Sequence, residues 1–218
     1  MKEQTKTKER ILDFGEVFTA EREVNAMLDL VKQETERIDS RFLEPACGDG
    51  NFLAEVLKRK LRVVKQRYGK NPHDYERYSV IAITSIYGVE LLEDNTHECR
   101  TRLFKLWNDD YTNVCGSSAN DDCRNSVKFI LNKNILNGDA LSLKQTNGEP
   151  IIFAEWSAVN GLLLKRRDFR LDEMLEGHQE QLSLFMAEWE YDGEIKAMIP
   201  KPIREFLPIH YKKVSSNE

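Results

Sequence analysis

Apolar residues recur along this chain at two spacings, and the alternation between them predicts the order of its elements. Positions three or four residues apart, the period of an amphipathic helix, are found at residues 24–31, 51–68, 94–107 and 123–131. Short apolar runs typical of buried strands lie between these helices, at residues 41–44, 86–91 and 134–141. Residues 75–85 carry both patterns, and we interpret them as a helix. The polar residues 108–122 predict a loop, and Thr19 is the predicted N-cap of the first helix.

The alternation of helix and strand through residues 10–141 predicts an α/β fold. Its parallel strands would form a doubly wound, Rossmann-like sheet with helices on both faces. The pattern then changes to two β-rich segments, residues 151–159 and 162–169, on either side of Asn160-Gly161. This dipeptide favours the tight turn of a β-hairpin because both of its residues tolerate positive φ.

The last part of the chain predicts short helices at residues 171–175 and 179–189, followed by an irregular tail with isolated prolines. The chain therefore divides into three parts. These are a polar, flexible N-terminus at residues 1–9, a main domain at residues 10–170, and a C-terminal helical extension with its tail at residues 171–218.

Composition bounds the class of protein. A chain of 218 residues, 40% hydrophobic and 32% charged, is long enough for one α/β domain with a core. The net charge of -5 gives no overall attraction to nucleic acid, so such a contact would need a local basic patch. No apolar run reaches the roughly 20 residues of a membrane span, and the polar N-terminus lacks the core of a signal peptide. We therefore expect a cytoplasmic protein without membrane contact, with reduced cysteines whose spacing matches no zinc site: Cys47, Cys99, Cys115 and Cys123.

Two basic clusters could provide a local patch. The first is KRKLRVVKQRYGK at residues 58–70, and the second is Lys165, Arg166, Arg167 and Arg170 in the predicted hairpin. Either cluster could contact the phosphate backbone of a nucleic acid, and the second could also meet an acidic partner. The alternative is that the first is the solvated face of an amphipathic helix and the second a charged strand edge. The sequence leaves both interpretations open.

The stretch FLEPACGDGNFL at residues 42–53 predicts a strand, a tight turn and the start of a helix. Gly48 and Gly50 let the backbone turn sharply and approach a ligand closely. A helix that begins near Asn51 points unpaired N–H groups at whatever lies over the turn. The stretch therefore predicts a small-molecule site at the carboxyl end of a parallel strand.

Acidic residues stand at the ends of all three predicted parallel strands: Glu44, Glu90 and Asp139. Ligands of open α/β sheets bind beyond these carboxyl ends. A carboxylate at the end of the second strand suits the two hydroxyls of a ribose, because it accepts two hydrogen bonds at once. A nicotinamide nucleotide is disfavoured, since Leu53 replaces the third glycine of its fingerprint and Glu90 lies well beyond the expected spacing of about 20 residues.

These residues resemble the S-adenosylmethionine-dependent DNA adenine methyltransferases. FLEPACGDGNFL resembles the first cofactor-binding motif of that family, and GEVFTAEREVNAML (15–28) is similar to its N-terminal motif, with Ala20 in place of the usual proline. GVELLEDN (88–95) resembles the ribose-binding motif and NGDAL (137–141) the adenine-binding motif. The motif order is that of the modification subunits of restriction systems. The resemblance covers about residues 10–141.

The resemblance implies S-adenosylmethionine as the cofactor and assigns residues to its parts. Phe18 and Thr19 would lie over the methionine part, and Glu90 would hold the ribose hydroxyls. Leu91 would flank the adenine, and Asp139 would accept a hydrogen bond from its amino group. The remaining contacts, at the methionine end and beside the adenine, would come from Glu44, Ala46, Cys47, Gly48, Gly50, Asn51 and Ala140. The ligand's sulfonium and ammonium would offset the repulsion between the carboxylates.

The catalytic tetrapeptide of that family, Asp or Asn followed by two prolines and an aromatic residue, has no counterpart after residue 141. Glu155 and Trp156 are the acid and the aromatic ring that could take its place. In the alternative reading, Trp156 packs in a core or an interface and has no catalytic role.

Three functions follow from the resemblance. The first is a DNA adenine methyltransferase of the restriction-modification type, which binds DNA and relies on a partner subunit or residues 150–170 for target recognition. The second is a non-catalytic, cofactor-binding subunit of a modification complex. The third is a methyltransferase that acts on a substrate other than DNA.

Overall fold

A computed structural model describes residues 19–176, 189–193 and 197–216 as a mixed α/β fold that is mostly helical. Its α-helices are α1 (Glu21–Leu30), α2 (Lys32–Thr35), α3 (Asn51–Tyr68), α4 (Pro72–Thr84), α5 (Glu93–Cys115), α6 (Asp121–Asn134) and α7 (Leu171–Glu176). Its strands are β1 (Phe42–Glu44), β2 (Ile86–Glu90), β3 (Ile135–Asp139), β4 (Lys144–Gln145), β5 (Ile152–Val159), β6 (Leu163–Arg170), β7 (Trp189–Asp192), β8 (Ala197–Pro200), β9 (Arg204–Glu205) and β10 (Ile209–His210). Two short 3-10 helices follow α5 and β10, at Gly116–Ser118 and Tyr211–Ser216.

The first sheet has the strand order β1-β2-β3-β4. β1, β2 and β3 are parallel neighbours, and helices separate them along the chain, as the alternating pattern predicts. The short strand β4 then pairs antiparallel with β3. Glu44 lies opposite Gly88, and Glu90 lies opposite Asn137, so the carboxyl ends of the parallel strands meet at one edge.

The two faces of this sheet are covered by different structures. On one face, a Cβ atom added to Gly88 would lie 2.8 Å from Sγ of Cys47 and 3.0 Å from Leu53 of α3, so the helix packs closely there. On the other face, the Tyr87 hydroxyl donates to the carbonyl oxygen of Ala154 at 3.0 Å, and its ring contacts Phe153 edge to face. A β-hairpin therefore covers part of the face where a doubly wound sheet would carry a helix.

The predicted hairpin is confirmed as β5 and β6, which pair antiparallel around Asn160-Gly161. Both turn residues have positive φ, 43° and 82°, as such a turn requires. The tail that follows is more ordered than expected, because β9 and β10 both pair with β6. The C-terminal extension thus contributes to the sheet that the hairpin begins.

Some predicted boundaries and elements differ from the observed ones. The expected polar loop at residues 108–122 is helical as far as Cys115, because Tyr111 and Cys115 continue the buried face of α5. The first helix is capped by Ala20, whose N–H donates to the Glu23 carboxylate, and Thr19 precedes the cap. Most of the predicted helix at residues 179–189 lies outside the described residues, and its last residue begins β7.

A buried carboxylate ties the C-terminal segment to the helices. Glu76 of α4 is 3% exposed, and its Oε1 accepts hydrogen bonds from the Tyr211 hydroxyl at 2.6 Å and from Nζ of Lys212 at 2.5 Å. Its Oε2 accepts from the Tyr111 hydroxyl and, at 2.9 Å, from Nδ2 of Asn120. Burial alone would raise the pKa of Glu76, but the hydrogen bonds from Lys212, Tyr111 and Tyr211 bring it below its ordinary value. We call these five residues the Glu76 cluster.

Candidate functional site

A cavity of about 560 Å³ opens at the carboxyl ends of the three parallel strands. This volume falls in the range of small-molecule sites, and the position is where α/β sheets bind ligands. Its lining comes from α1 and Thr19 before it, the β1–α3 turn, the ends of β2 and β3, and the start of α5. The lining residues are Thr19, Met27, Glu44, Pro45, Ala46, Cys47, Gly48, Asp49, Asn51, Phe52, Glu90, Leu91, Leu92, Asn95, Gly138, Asp139, Ala140 and Leu141.

The turn between β1 and α3 depends on two glycines in the left-handed region, Gly48 with φ of 53° and Gly50 with φ of 86°. The Gly50 N–H donates to the carbonyl oxygen of Cys47 at 2.8 Å, and the Cys47 N–H donates to that of Val89 at 3.0 Å. The turn is thereby folded back on itself and fixed to β2. Because Gly50 is the N-cap of α3 and has no side chain, the first N–H groups of the helix are left for a ligand or water.

Replacing Gly50 by alanine is expected to lower the free energy of unfolding by about 2 kcal/mol, since a non-glycine residue is strained at this φ. The added Cβ would also lie 2.7 Å from Sγ of Cys99. Denaturant unfolding measures the change, and Gly148→Ala is the control. Gly148 has a similar φ of 85° but no atom within 4 Å of an added Cβ, so its variant reports the backbone strain alone. Equal losses in the two variants would show that the contact with Cys99 contributes nothing.

Glu90, at the end of β2, is 8% exposed and faces the cavity. Its Oε2 accepts a hydrogen bond from the Gly48 N–H at 2.8 Å, and its Oε1 accepts one from the Leu92 N–H at 2.9 Å. The carboxylate therefore joins the glycine turn to the start of the segment that leads into α5. Oε1 also accepts a longer hydrogen bond from Nδ2 of Asn95 at 3.5 Å, so a ligand hydroxyl would use the further lone pair of Oε2 or displace Asn95 from Oε1.

Glu44 and Asp139 line the same cavity in different environments. Burial raises the pKa of the Glu44 carboxyl, although a hydrogen bond from the backbone of Ala46 opposes this effect. Asp139 accepts hydrogen bonds from the N–H groups of Leu141 at 2.9 Å and Ser142 at 3.3 Å, and these donors lower its pKa. Asp139 thus also caps the turn that follows β3.

Arg102 of α5 supports the glycine turn from behind. Its guanidinium binds the Asp49 carboxylate and the side-chain oxygen of Asn51. Neither Asp49 nor Arg102 is among the site residues predicted from the sequence. Asp49 stands between the two glycines and could have been included on that ground, whereas nothing in the local sequence distinguishes Arg102 from the other charged residues of its helix.

Nearly all of the residues expected to bind the cofactor come together at this cavity. Gly50 is not in its lining but caps the helix there, and Phe18 lies outside the described residues. The other expected residues all line it: Thr19, Glu44, Ala46, Cys47, Gly48, Asn51, Glu90, Leu91, Asp139 and Ala140. Met27, Phe52 and Asn95 also line the cavity but are not among the predicted residues, because only the folded chain brings them there.

The two residues considered for catalysis are placed elsewhere, on β5. Glu155 pairs with Arg41 and with Arg167, whose Nε lies 3.1 Å from its Oε2. Trp156 is buried, and its Nε1 donates to the side-chain oxygen of Asn134 at 2.9 Å. Among the described residues, neither belongs to the cavity lining. Both side chains hold the hairpin against the rest of the fold.

The charge of the cavity restricts what it can bind. Four carboxylates line it, from Glu44, Asp49, Glu90 and Asp139, and Arg102 compensates that of Asp49 from behind the turn. The described lining itself contains no lysine, arginine or histidine. A ligand with phosphate groups would be repelled from such a surface, and a cationic ligand would be attracted. The lining therefore favours a cationic ligand over the phosphates that such glycine turns bind in other folds.

The basic cluster of the hairpin is compensated by acidic partners. Lys165 pairs with Glu205, Arg166 with Asp168, Arg167 with Glu155 and Arg170 with Asp172. The paired charges leave little for a nucleic acid to bind. The predicted charged strand edge is wrong, however, because β6 lies between β5 on one side and β9 and β10 on the other, and Arg166 is buried.

The basic cluster of α3 is divided between burial, ion pairs and solvent. Lys60 is fully buried, and its Nζ donates to the carbonyl oxygens of Arg37 at 2.9 Å, Ile38 at 3.1 Å and Ser40 at 2.5 Å. Lys58 and Lys65 pair with Glu55 and Asp110, whereas Arg62, Arg67 and Lys70 are exposed. Part of this cluster thus has a structural role, and only its exposed residues remain available to an anionic partner.

Comparison with protein-family models, with curated proteins and with solved structures finds no match to this chain. A search of the described helices for one long and apolar enough to cross a membrane finds none.

Proposed function

We propose that this cavity binds S-adenosylmethionine and that the chain is a relative of the DNA adenine methyltransferases. The observation that carries the proposal is the convergence of the Gly48–Gly50 turn, Glu90 and Asp139 on one cavity lined by carboxylates. In this proposal, the parallel strands β1–β3 are the cofactor-binding half of a Rossmann-like sheet.

The cavity suits the chemistry of this cofactor. S-adenosylmethionine carries a sulfonium and an ammonium, which the carboxylates of the lining would attract. It has no phosphate, which they would repel. Glu90 would accept hydrogen bonds from the ribose hydroxyls, and Asp139 from the adenine amino group. Leu91 and Ala140 would contact the adenine ring, and the N-terminus of α3 would face the ligand's carboxylate. When bound, the cofactor supplies an activated methyl group.

A second function, that of a non-catalytic cofactor-binding subunit, is favoured by a specific observation. Glu155 is held by two arginines and Trp156 by Asn134, so neither side chain is available to an amino group at the cavity. The sequence also has no Pro-Pro pair after β3. A partner chain would then supply both the catalytic residues and the recognition of DNA, because the paired charges of the hairpin offer little to its phosphates.

Calorimetry of the purified chain with S-adenosylmethionine and with its demethylated product tests the proposed site. We expect binding in the micromolar range, and the absence of heat with both ligands would contradict the proposal. ATP is the control, because it shares the adenosine but carries phosphates that the carboxylates would repel. Equal affinity for ATP would show that the site is a general nucleotide site.

A separate assay distinguishes the two functions. Transfer of a labelled methyl group to unmethylated DNA is measured with the chain alone and with the products of neighbouring genes. Transfer by the chain alone, or with a partner that only recognises DNA, would identify an enzyme. Persistent absence of transfer despite tight cofactor binding, or transfer that requires catalytic residues of the partner, would identify a cofactor-binding subunit. A non-DNA methyl acceptor in the same mixture reports the third function.

A further inference from the structure

Asn137 of β3 lies directly behind the site without belonging to its described lining. It is the residue opposite Glu90 in the parallel register. Its Nδ2 donates to two successive carbonyl oxygens, those of Glu90 and Leu91, each at 3.0 Å. Its Oδ1 accepts a hydrogen bond from the Thr146 hydroxyl at 3.1 Å. The side chain is therefore held at both ends.

These two carbonyl groups stand where the chain leaves the sheet. Strand β2 ends at Glu90, and the backbone then turns through Leu91 toward α5. At such a point the regular pairing of the strands stops, and the direction of the peptide groups is no longer fixed by the sheet. The amide of Asn137 supplies a donor to each carbonyl at 3.0 Å, and the Thr96 hydroxyl adds a longer hydrogen bond, of 3.4 Å, to that of Glu90.

The peptides that Asn137 holds belong to residues of the proposed nucleoside subsite. The Glu90 carboxylate and the Leu91 side chain both line the cavity, and Leu91 is 48% exposed, with little packing of its own to orient it. A rotation of either peptide would move both side chains relative to the glycine turn. Displacements well below 1 Å are enough to weaken hydrogen bonds to a ligand.

We propose that Asn137 is a positioning residue for the nucleoside half of the ligand and acts through Glu90 and Leu91. The inference rests on the proposed function, because it concerns how that site is held in its binding geometry. Asn137 would touch no part of the ligand.

If Asn137 only stabilised the fold, its replacement would lower the melting temperature rather than the affinity for the ligand. The hydrogen bond to Leu91 is exposed and the one to Glu90 is only partly buried, so water can replace Asn137 at both carbonyls. The Asn137→Ala variant should therefore melt within about 4 °C of the wild type. Its affinity for S-adenosylmethionine should fall about tenfold. Asn137→Asp keeps the shape and the acceptor for Thr146 but has no donor, so it should lose at least as much affinity.

A double-mutant cycle tests whether Asn137 acts through Glu90. Affinities are measured by calorimetry for Asn137→Ala, Glu90→Gln and the double variant. If Asn137 only positions Glu90 and its neighbour, the double variant should bind no more than about threefold more weakly than Glu90→Gln alone. The same cycle with Glu44→Gln, at the other end of the cavity, should be additive.

The outcomes separate the inference from the proposed function. If the wild type does not bind S-adenosylmethionine, the proposed function fails and the inference fails with it. If the wild type binds and Asn137→Ala binds equally well, or if its effect adds fully to that of Glu90→Gln, only the inference is overturned. Thr146→Val, which removes the donor to Oδ1 of Asn137 without touching β2, serves as a second variant should Asn137→Ala fail to fold. It should weaken binding about threefold, and unchanged affinity in this variant would also count against the inference.

Discussion

Replacing Glu90 by glutamine is expected to weaken the binding of S-adenosylmethionine about a hundredfold. The carboxylate accepts hydrogen bonds from the N–H groups of Gly48 and Leu92 at the cavity wall. The glutamine amide can replace only one of its two acceptor oxygens and turns an N–H group toward a backbone N–H. The variant would thus lose a charged acceptor for the ribose and disturb the glycine turn, and hydrogen bonds to charged groups are worth about 1.5–3 kcal/mol each.

The matched control is Glu93→Gln. Glu93 lies three residues further on, is exposed and is absent from the described lining of the cavity, but the substitution changes the net charge equally. Calorimetry should show affinity within about twofold of the wild type for this control. If both variants lose affinity to the same extent, a general electrostatic effect explains the loss, and Glu90 has no direct role.

The largest expected effect on stability is at Glu76. Replacing it by alanine should lower the free energy of unfolding by about 4 kcal/mol, because one partner of a buried, hydrogen-bonded pair is removed. Lys212 would lose its ion pair, and the hydroxyls of Tyr111 and Tyr211 would lose their acceptor. Urea unfolding followed by fluorescence and by circular dichroism measures the change.

The pH dependence provides a second measurement on the same residue. The folded-state pKa of Glu76 is lowered, so its contribution to stability is complete above the ordinary carboxyl pKa and is lost as the pH falls through the lowered value. The Glu76→Ala variant should therefore lose less stability than the wild type between pH 5 and 3. Tyr211→Phe, which removes one hydroxyl and keeps the charge pair, should cost only about 1 kcal/mol. It should reduce the pH dependence only in part, because Lys212 and Tyr111 still lower the pKa of Glu76. Parallel pH curves for the wild type and Glu76→Ala would show that this carboxylate has an ordinary pKa in the folded protein.

Elements that are specified by residues within them or directly beside them could be predicted from the sequence. Gly50 precedes the first residue of α3, and the Gly69–Pro72 segment follows its last, as predicted. The hairpin turn is likewise at the Asn160-Gly161 pair. The parallel strands were recognisable because each is a short apolar run that ends in an acidic or glycine-rich tip. The expected site residues lie at or near these strand ends. They come together in the structure because the carboxyl ends of parallel strands meet at one edge of the sheet.

Features that depend on distant contacts could not be predicted. Tyr111 extends α5 through a polar stretch because it is buried against other helices, and burial is not visible in local periodicity. Lys60 stands among basic residues whose pattern predicts a solvated face. It is nevertheless fully buried, and its ammonium donates to carbonyl groups 20 to 23 positions earlier in the chain. The double use of Glu90, as a wall of the cavity and as the acceptor for two backbone N–H groups, likewise requires the folded turn.

The Glu76 cluster also has a consequence for the lifetime of the folded state. Its hydrogen bond to Tyr211 joins residues 135 positions apart in the chain. Closing so long a segment costs chain entropy before any contact is gained, so we expect this bond to form late in folding, after the barrier has been crossed. Interactions absent from the transition state control the rate of unfolding and hardly affect the rate of folding. The cluster would therefore slow unfolding. Its loss should raise the rate of unfolding while leaving the rate of refolding nearly unchanged.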